Sequence, residues 1–101
     1  MFSMEKIAGL KVNHDDNVAT LFINGIEKGD ALMIGDKAGN VEKILSLSEI
    51  PYGHKIAVKN IEPGTPIIKY GEKIGISTAA IQKGEHVHVQ NLDSDRARGD
   101  K

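Results

Sequence analysis

Short runs of apolar residues, many of them alternating with polar residues, recur along the chain and predict β-strands. Such runs occupy positions 6–12, 18–23 and 41–45. No stretch keeps the 3.6-residue period of a long amphipathic helix. The best helical alternative is the segment 38–50, AGNVEKILSLSEI, for which a strand remains the preferred interpretation.

One local pattern, Ile-x-x-Gly followed by a polar residue, occurs four times and predicts tight turns. Its copies begin at Ile26, Ile50, Ile61 and Ile81, and each precedes a short run of β type: ALMI, KIAV, PIIK and HVHV. The third copy contains Pro-Gly, which is typical of a type II turn because Pro presets φ and Gly accepts positive φ. The copies are unequally spaced, which excludes a solenoid of fixed period.

The remaining loops complete the prediction of one mostly β domain with little helix. The segment 35–40, GDKAGN, is typical of a hairpin loop, and the glycines at 71 and 75 predict bends or bulges. After Leu92 the chain becomes polar and charged. We therefore predict a domain at 1–92 and a flexible charged tail at 93–101.

Composition narrows the functional classes. The chain has 101 residues, a formal net charge of -1, no cysteine and no tryptophan. The charge predicts neither nucleic acid nor membrane as a partner. The lack of cysteine excludes disulfides and thiolate metal sites, and it fits a cytoplasmic protein. The Walker P-loop, H-E-x-x-H and G-x-S-x-G motifs are also absent from the sequence.

Polar residues with catalytic potential occur in four short segments. These are HDDNV at 14–18, GHK at 53–55, IKYG at 68–71 and KGEHVHVQN at 83–91. Imidazole and carboxylate groups could bind a metal or transfer protons, and lysine could bind an anion. Each segment also has an ordinary structural interpretation, since Asp and Asn form turns and histidines are common on solvated loops.

The fourth segment predicts two faces of one strand. Strict alternation places His86, His88 and Gln90 on one face. It places Val87 and Val89 on the other, where they could reach the core. A His-x-His pair can bind one metal ion, but two solvated histidines on a strand are the more frequent case.

The motifs DNVA, IPYGHKIAVKNI, GTPIIKYGEKIG and GEHVHVQN follow one another in this order. Together they resemble the N-terminal domain of the altronate and galactarate dehydratase family, and also the small subunit of sulfolactate sulfo-lyase. The resemblance covers positions 14–91 approximately. The domain resembles a SAF domain, which implies a β-clip fold of short strands and tight glycine turns.

This resemblance implies a lyase. The family removes water, or sulfite in the sulfo-lyases, from anionic hydroxy acids and uses a divalent metal, Fe²⁺ or Mn²⁺. It implies a small subunit that closes as a lid over the active site of a separate large catalytic subunit. The large subunit would supply most of the metal ligands, and the substrate would be an anionic sugar acid. The alternatives are a sulfolactate sulfo-lyase small subunit and a non-catalytic SAF-type binding module.

The motifs carry functional roles to particular positions of this chain. The resemblance implies catalytic roles for His54, His88 and His14, with His14 and His88 also the candidate metal ligands. It implies substrate binding by a second set: Lys55, Lys69, Tyr70, Asp16, Asn17 and Asn91.

Three positions differ from the family pattern or weaken it. Asp15 stands where relatives commonly have an apolar residue or proline, and Gln90 stands where they often have a further histidine. Position 86 is aromatic in many relatives, so we rank His88 above His86 for chemistry. If the family histidine at position 90 is a metal ligand, this protein lacks it, and its metal or its substrate then differs from that of its relatives.

Overall fold

The computed structural model describes residues 7–94 and contains nine β-strands and no helix within that range. In chain order, the strands are β1 (Ile7–Lys11), β2 (Val18–Leu21), β3 (Ala31–Asp36), β4 (Val41–Leu45), β5 (Lys55–Ala57), β6 (Pro66–Lys69), β7 (Glu72–Ser77), β8 (His86–Val87) and β9 (Leu92–Ser94). The mostly β fold predicted from the sequence is confirmed. None of the described residues forms a helix that could cross a membrane.

The strands form two sheets. The larger has six strands in the order β4-β3-β1-β2-β5-β8, and the smaller has three in the order β6-β7-β9. β1 and β3 are parallel, whereas the other pairs are antiparallel. The adjacent hairpins β3–β4 and β6–β7 follow from their short loops, because only antiparallel strands can be joined so closely.

The isoleucines that begin the four recurring turns pair with one another across the fold. Ile26 forms an antiparallel bridge with Ile50, and Ile61 forms one with Ile81. All four are at most 3% exposed. The repeated motif therefore supplies a buried apolar anchor and a glycine turn at each site, and the anchors join the turns in two pairs.

Two apolar clusters fill the interior. The first lies on the β1–β5 part of the larger sheet and includes Leu21, Ile44 and Ile56. The second joins β2, β5 and β8 to the smaller sheet through Val18, Ile67 and other buried side chains. Burying each such side chain contributes about 1.5–3 kcal/mol before the loss of conformational entropy. The second cluster matters for function because it holds β5, β6 and β8 together.

The four turn glycines all have positive φ, which confirms the predicted turns. Gly84 has a second constraint, because a Cβ there would overlap the carbonyl oxygen of Leu45. Its N–H donates to the Ala57 carbonyl at 2.8 Å, and its carbonyl accepts from the Leu47 N–H at 2.8 Å. Gly84 thus connects β5 to the end of β4 just before β8 begins.

The local predictions agree with the structure except near the C-terminus. The helical alternative at 38–50 is wrong over its central part, which is β4, and 35–40 spans the β3–β4 hairpin turn. Asp93 and Ser94, which the sequence assigned to the tail, belong to β9 and pair with β7. The rest of the predicted tail, 95–101, lies outside the described residues.

The close approach at Gly84 yields a prediction about stability. Gly84→Ala should lower the free energy of unfolding by about 2–5 kcal/mol, because both the positive φ and the overlap with Leu45 oppose a side chain. Gly53→Ala is the matched control, since its φ of 83° is similar but nothing lies within 4 Å of the added Cβ. We expect it to lower that free energy by only about 1–2 kcal/mol. Urea unfolding measures both, and equal losses would contradict the steric argument.

Candidate active site

The pairing of β5 with β8 brings three histidines together. Lys55 pairs with Val87 and Ile56 with His86, so His54 lies opposite His88 just beyond the paired residues. Directly opposed residues on antiparallel strands place their side chains side by side. The His54 and His88 rings stack with centroids 3.8 Å apart and an interplanar angle of 19°. His86 stacks against His54 at 5.1 Å and against His88 at 5.9 Å.

A hydrogen bond links two of these imidazoles. Nδ1 of His54 lies 2.9 Å from Nε2 of His86. The amide Nε2 of Gln90 lies 3.4 Å from Nδ1 of His86 and donates to the His86 carbonyl at 3.2 Å. With the amide in this orientation, Nδ1 of His86 accepts and the proton lies on its Nε2, which donates to His54. Gln90, His86 and His54 thus form a short relay.

The third imidazole differs from the other two in its hydrogen bonding. Nδ1 of His88 is buried and has no hydrogen-bond partner among residues 7–94. Burial lowers the pKa of His88, and the charges of His54 and Lys55 lower it further. Burial also lowers the pKa of His86, followed by the charges of His54, His88 and Lys55. Both rings are therefore neutral at neutral pH, when their nitrogens can accept a proton or bind a metal ion.

An open cleft of about 480 Å³ adjoins His88. The charged side chains that line its described part are Lys55, Lys69, Lys73 and Glu72. Burial lowers the pKa of half-buried Lys55, and the charge of Lys69 lowers it further. The excess of positive charge favours an anionic ligand. The cleft thus places lysines that could bind an anion next to His88, whose imidazole could transfer a proton.

Asp16 holds the hairpin that carries the cleft lysine Lys69. Its buried carboxylate accepts the backbone N–H groups of Val12 at 2.9 Å, Asn13 at 3.1 Å and Gly71 at 2.7 Å. Burial acts to raise the pKa of Asp16, but the hydrogen bonds from the backbone outweigh it and the net pKa is lowered from 3.8. The carboxylate is therefore ionised and connects the loop after β1 to the turn between β6 and β7.

Two asparagines act on the backbone in the same way. Asn17 donates to the Pro66 carbonyl at 2.9 Å and accepts from the Ile68 N–H at 2.7 Å. Asn91 accepts from the His88 N–H at 3.1 Å and donates to the His86 carbonyl at 3.0 Å. The first holds β6 next to β2, and the second closes the turn that carries His88. Substrate binding by Asp16, Asn17 and Asn91 stays a prediction, while their observed contacts position the site.

Tyr70 stands at the turn between β6 and β7 with a φ of 55°. A non-glycine residue in the left-handed region is strained, and such strain persists only where surrounding contacts hold it. Here the carboxylate of Asp16 binds the next residue, Gly71. The Lys69 ammonium lies 5.4 Å from the centroid of the Tyr70 ring, within range of a cation–π contact.

The structure gathers some of the predicted site residues and separates one. His54, His88, Lys55 and Lys69 lie around the cleft and its adjoining imidazoles. His14 does not join them, because its side chain is 92% exposed and contacts Asp15 at 3.2 Å. Within the described range, the group of side chains close enough to share a metal ion consists of His54, His86 and His88, so the structure gives no support to His14 as a metal ligand.

Val89 corrects the predicted strand faces. The alternation placed it toward the core, but it is 78% exposed. β8 ends at Val87, and the backbone turns at 88–91, where the Asn91 N–H donates to the His88 carbonyl at 3.0 Å. The two-residue period therefore ends one residue before His88.

The comparison with protein families identifies the domain. A family model described as the altronate/galactarate dehydratase SAF domain matches residues 7–95. The chain belongs to this family. The SAF domain is 33% identical to the (2R)-sulfolactate sulfo-lyase subunit alpha of Chromohalobacter salexigens over 84 residues, which are 81% of this chain and 88% of that relative.

Two dehydratases are also similar to this SAF domain. The altronate dehydratase of Bacillus subtilis is 37% identical over 82 residues, and the galactarate dehydratase (L-threo-forming) of Escherichia coli is 34% identical over 79 residues. These alignments cover 81% and 77% of this chain but only 15% and 14% of the dehydratases. The relatives place the SAF domain among lyases.

The sequence patterns did not predict that the three histidine side chains lie in contact with one another. The motif ranking separated His86 from His88, whereas the structure hydrogen-bonds His86 to His54. One signal was present in the sequence, because His54 and His86 each follow a turn glycine closely, Gly53 and Gly84. Which turns would meet depends on strand pairing between distant segments, which local patterns do not specify.

Asp16 gives the site a testable dependence on pH. Asp16→Asn should lower the free energy of unfolding at pH 7 by about 2–3 kcal/mol, because a buried charged acceptor is lost. The folded-state pKa lies below 3.8, so the stabilisation is present above that value and is lost as the pH falls through the folded pKa. The difference between variant and parent should therefore shrink in acid. Urea unfolding at pH 7 and in steps below pH 4 measures it.

The matched control is Asp15→Asn, because that carboxylate is 71% exposed and forms an ion pair with the exposed side chain of His14. We expect a loss of at most about 1 kcal/mol. A pH-independent effect of Asp16→Asn would contradict the proposed ionised acceptor.

Proposed function

We propose that this SAF domain is the small subunit of an anionic hydroxy-acid lyase and completes the active site of a separate large catalytic subunit. The observation that carries the proposal is the cleft in which His88 meets three lysines, in a domain whose relatives are lyases. The relationship to a sulfo-lyase subunit alpha supports a partner subunit. In this proposal the SAF domain closes over the substrate as a lid.

The side chains around the cleft suit an elimination reaction. Dehydration requires a base to remove a proton α to a carboxylate, an acid for the leaving hydroxyl and stabilisation of the enediolate. The lysines bind the substrate's anionic group and offset the developing negative charge. An imidazole of His54 or His88 exchanges the proton, and the hydrogen bond between His86 and His54 orients the His54 ring.

The family resemblance also implies a divalent metal, Fe²⁺ or Mn²⁺, with most of its ligands on the large subunit. Bound there, such an ion would supply Lewis-acid chemistry for the elimination. The SAF domain would contribute its imidazoles and lysines to the same active site. Its own residues bind the anion, move the proton and exclude water from the site.

The leading substrate is a sugar acid such as altronate or galactarate, and a specific observation supports a second candidate. The sulfo-lyase subunit alpha aligns over 88% of its own length. Sulfolactate carries a carboxylate and a sulfonate, which suits the excess of lysine in the cleft. A non-catalytic SAF-type binding module is the alternative from another class, and it requires that the imidazoles do not affect a partner's turnover.

The subunit role predicts that activity requires two polypeptides. The purified chain alone should not convert altronate, galactarate or sulfolactate, because in this proposal the large subunit supplies most of the active site. Co-expression with its large subunit should give a complex that converts one of them with Fe²⁺ or Mn²⁺ present. Product formation from each acid, measured by mass spectrometry, identifies the substrate. Robust turnover by the isolated chain would refute the small-subunit role.

The lysine wall predicts a binding defect in that complex. Lys69→Met should raise KM about 10–100-fold, because a charge-assisted contact to the substrate anion is lost. Lys28→Met is the control, since Lys28 is exposed on the first recurring turn and does not line the cleft. Steady-state kinetics with the identified acid measure both. An unchanged KM in Lys69→Met would show that the substrate anion binds elsewhere.

A further inference from the structure

Among residues 7–94, three imidazoles form a compact group that includes no carboxylate. Each of His54, His86 and His88 offers a ring nitrogen, and the three nitrogens lie within 4.8 Å of one another. All three side chains are half-buried and open toward the same side of the β5–β8 pair. Neutral imidazole is a common ligand for divalent transition metals.

We propose that His54, His86 and His88 form a binding site for one late first-row divalent ion, such as Zn²⁺, on the SAF domain itself. This goes beyond the proposed function, in which most metal ligands belong to the large subunit. It is a property of this chain alone, so it can be tested without a partner and without turnover.

The spacing of the nitrogens is close to that of a shared ion. Two nitrogens that each lie about 2.1 Å from one ion are about 3 Å apart at a right angle and about 4.2 Å apart at most. The His54 and His86 nitrogens are 2.9 Å apart. The rings now stack nearly in parallel, with interplanar angles of 8–25°. Coordination therefore requires the rings to rotate until their lone pairs converge, which half-buried side chains permit.

The unpartnered nitrogen of His88 independently favours a ligand. Its Nδ1 is buried without a hydrogen bond to any described residue. An unsatisfied buried polar group is costly, and such atoms in proteins usually have an unseen partner such as water or an ion. Once the His88 ring has rotated as described above, a metal ion bound through this nitrogen would satisfy it. His88 also lines the lysine cleft, so an ion there would have open positions facing the substrate side.

The charges around the group indicate which ions and partners it accepts. Three neutral ligands leave the full double charge of the ion uncompensated, and the nearby charge of Lys55 repels it. An anion in the cleft would relieve that repulsion, so metal and anion should bind cooperatively. An all-imidazole site also favours Zn²⁺, Co²⁺ or Ni²⁺ over Mn²⁺ and Mg²⁺, which prefer oxygen ligands.

Gln90 has a defined part in this site. A metal-binding histidine usually donates its other ring N–H to an oxygen, which orients the ring. Rotating the Gln90 amide by half a turn would present its oxygen to Nδ1 of His86, where the NH₂ group now lies at 3.4 Å. Gln90 is then a positioning residue that acts on the metal through His86.

The experiment is a titration of the full chain with Co²⁺, followed by its visible d–d absorption. We expect one ion per chain, displacement by Zn²⁺, and little displacement by equal Mn²⁺ or Mg²⁺. Alanine in place of any one of the three histidines should weaken binding by at least about 100-fold, and Gln90→Ala by about 10-fold. Gln90→Glu should retain binding, because its carboxylate can accept the His86 N–H. Added sulfolactate or galactarate should tighten it.

His14→Ala is the matched control, since it removes an exposed histidine outside the group. It should leave Co²⁺ binding unchanged. Circular dichroism checks that each variant is folded, and paramagnetic shifts of the imidazole protons in the unaltered chain identify the ligands without mutation. The proposal is wrong if no absorption saturates below about 1 mM Co²⁺, or if the shifts fall on His14 instead. Neither negative result bears on the small-subunit proposal, which is tested by turnover in the complex, but a bound ion would replace the proton-transfer role proposed above for His54 and His88.

Discussion

Two residue pairs between β5 and β8, Lys55 with Val87 and Ile56 with His86, determine the positions of the site's imidazoles. A shift of one residue would turn every side chain of the short strand β8 to the opposite face. The histidines would then enter the core and Val87 would leave it. Val87 is fully buried, so the apolar core opposes that shift. The backbone of Gly84, bonded to Ala57, fixes where the pairing begins.

Buried polar side chains hold the backbone segments that carry the site residues. Asp16, Asn17 and Asn91 are buried, and each bonds to the backbone of a segment that carries a cleft or imidazole residue. Buried polar groups that are fully hydrogen-bonded specify one arrangement, since any other leaves them unsatisfied. Their presence in the family motifs is thus explained by positioning. Lys69 and His88 depend on these three side chains for their position, although none of the three lines the described part of the cleft.

The sequence predicted what local chemistry determines. Glycine at each recurring turn, the hairpin at 35–40 and the strand character of 41–45 all follow from the conformations these residues favour. Strand pairing and strand ends did not follow, because they depend on contacts between distant segments. The sequence therefore did not predict the hydrogen bond between His54 and His86 or the turn that exposes Val89. β9 escaped prediction because LDS carries a single apolar residue, whose burial depends on β7.

The short strand β8 also bears on the order in which the molecule forms. The hairpins β3–β4 and β6–β7 join neighbouring segments, whereas His54 and His86 are separated by 32 positions. Contacts between distant segments require closure of a long loop and generally form after local ones. The β6–β7 hairpin, which carries Lys69 and Lys73, should therefore form before His54 meets His86 and His88. A newly synthesised chain would therefore hold Lys69 and Lys73 in place before its three imidazoles meet.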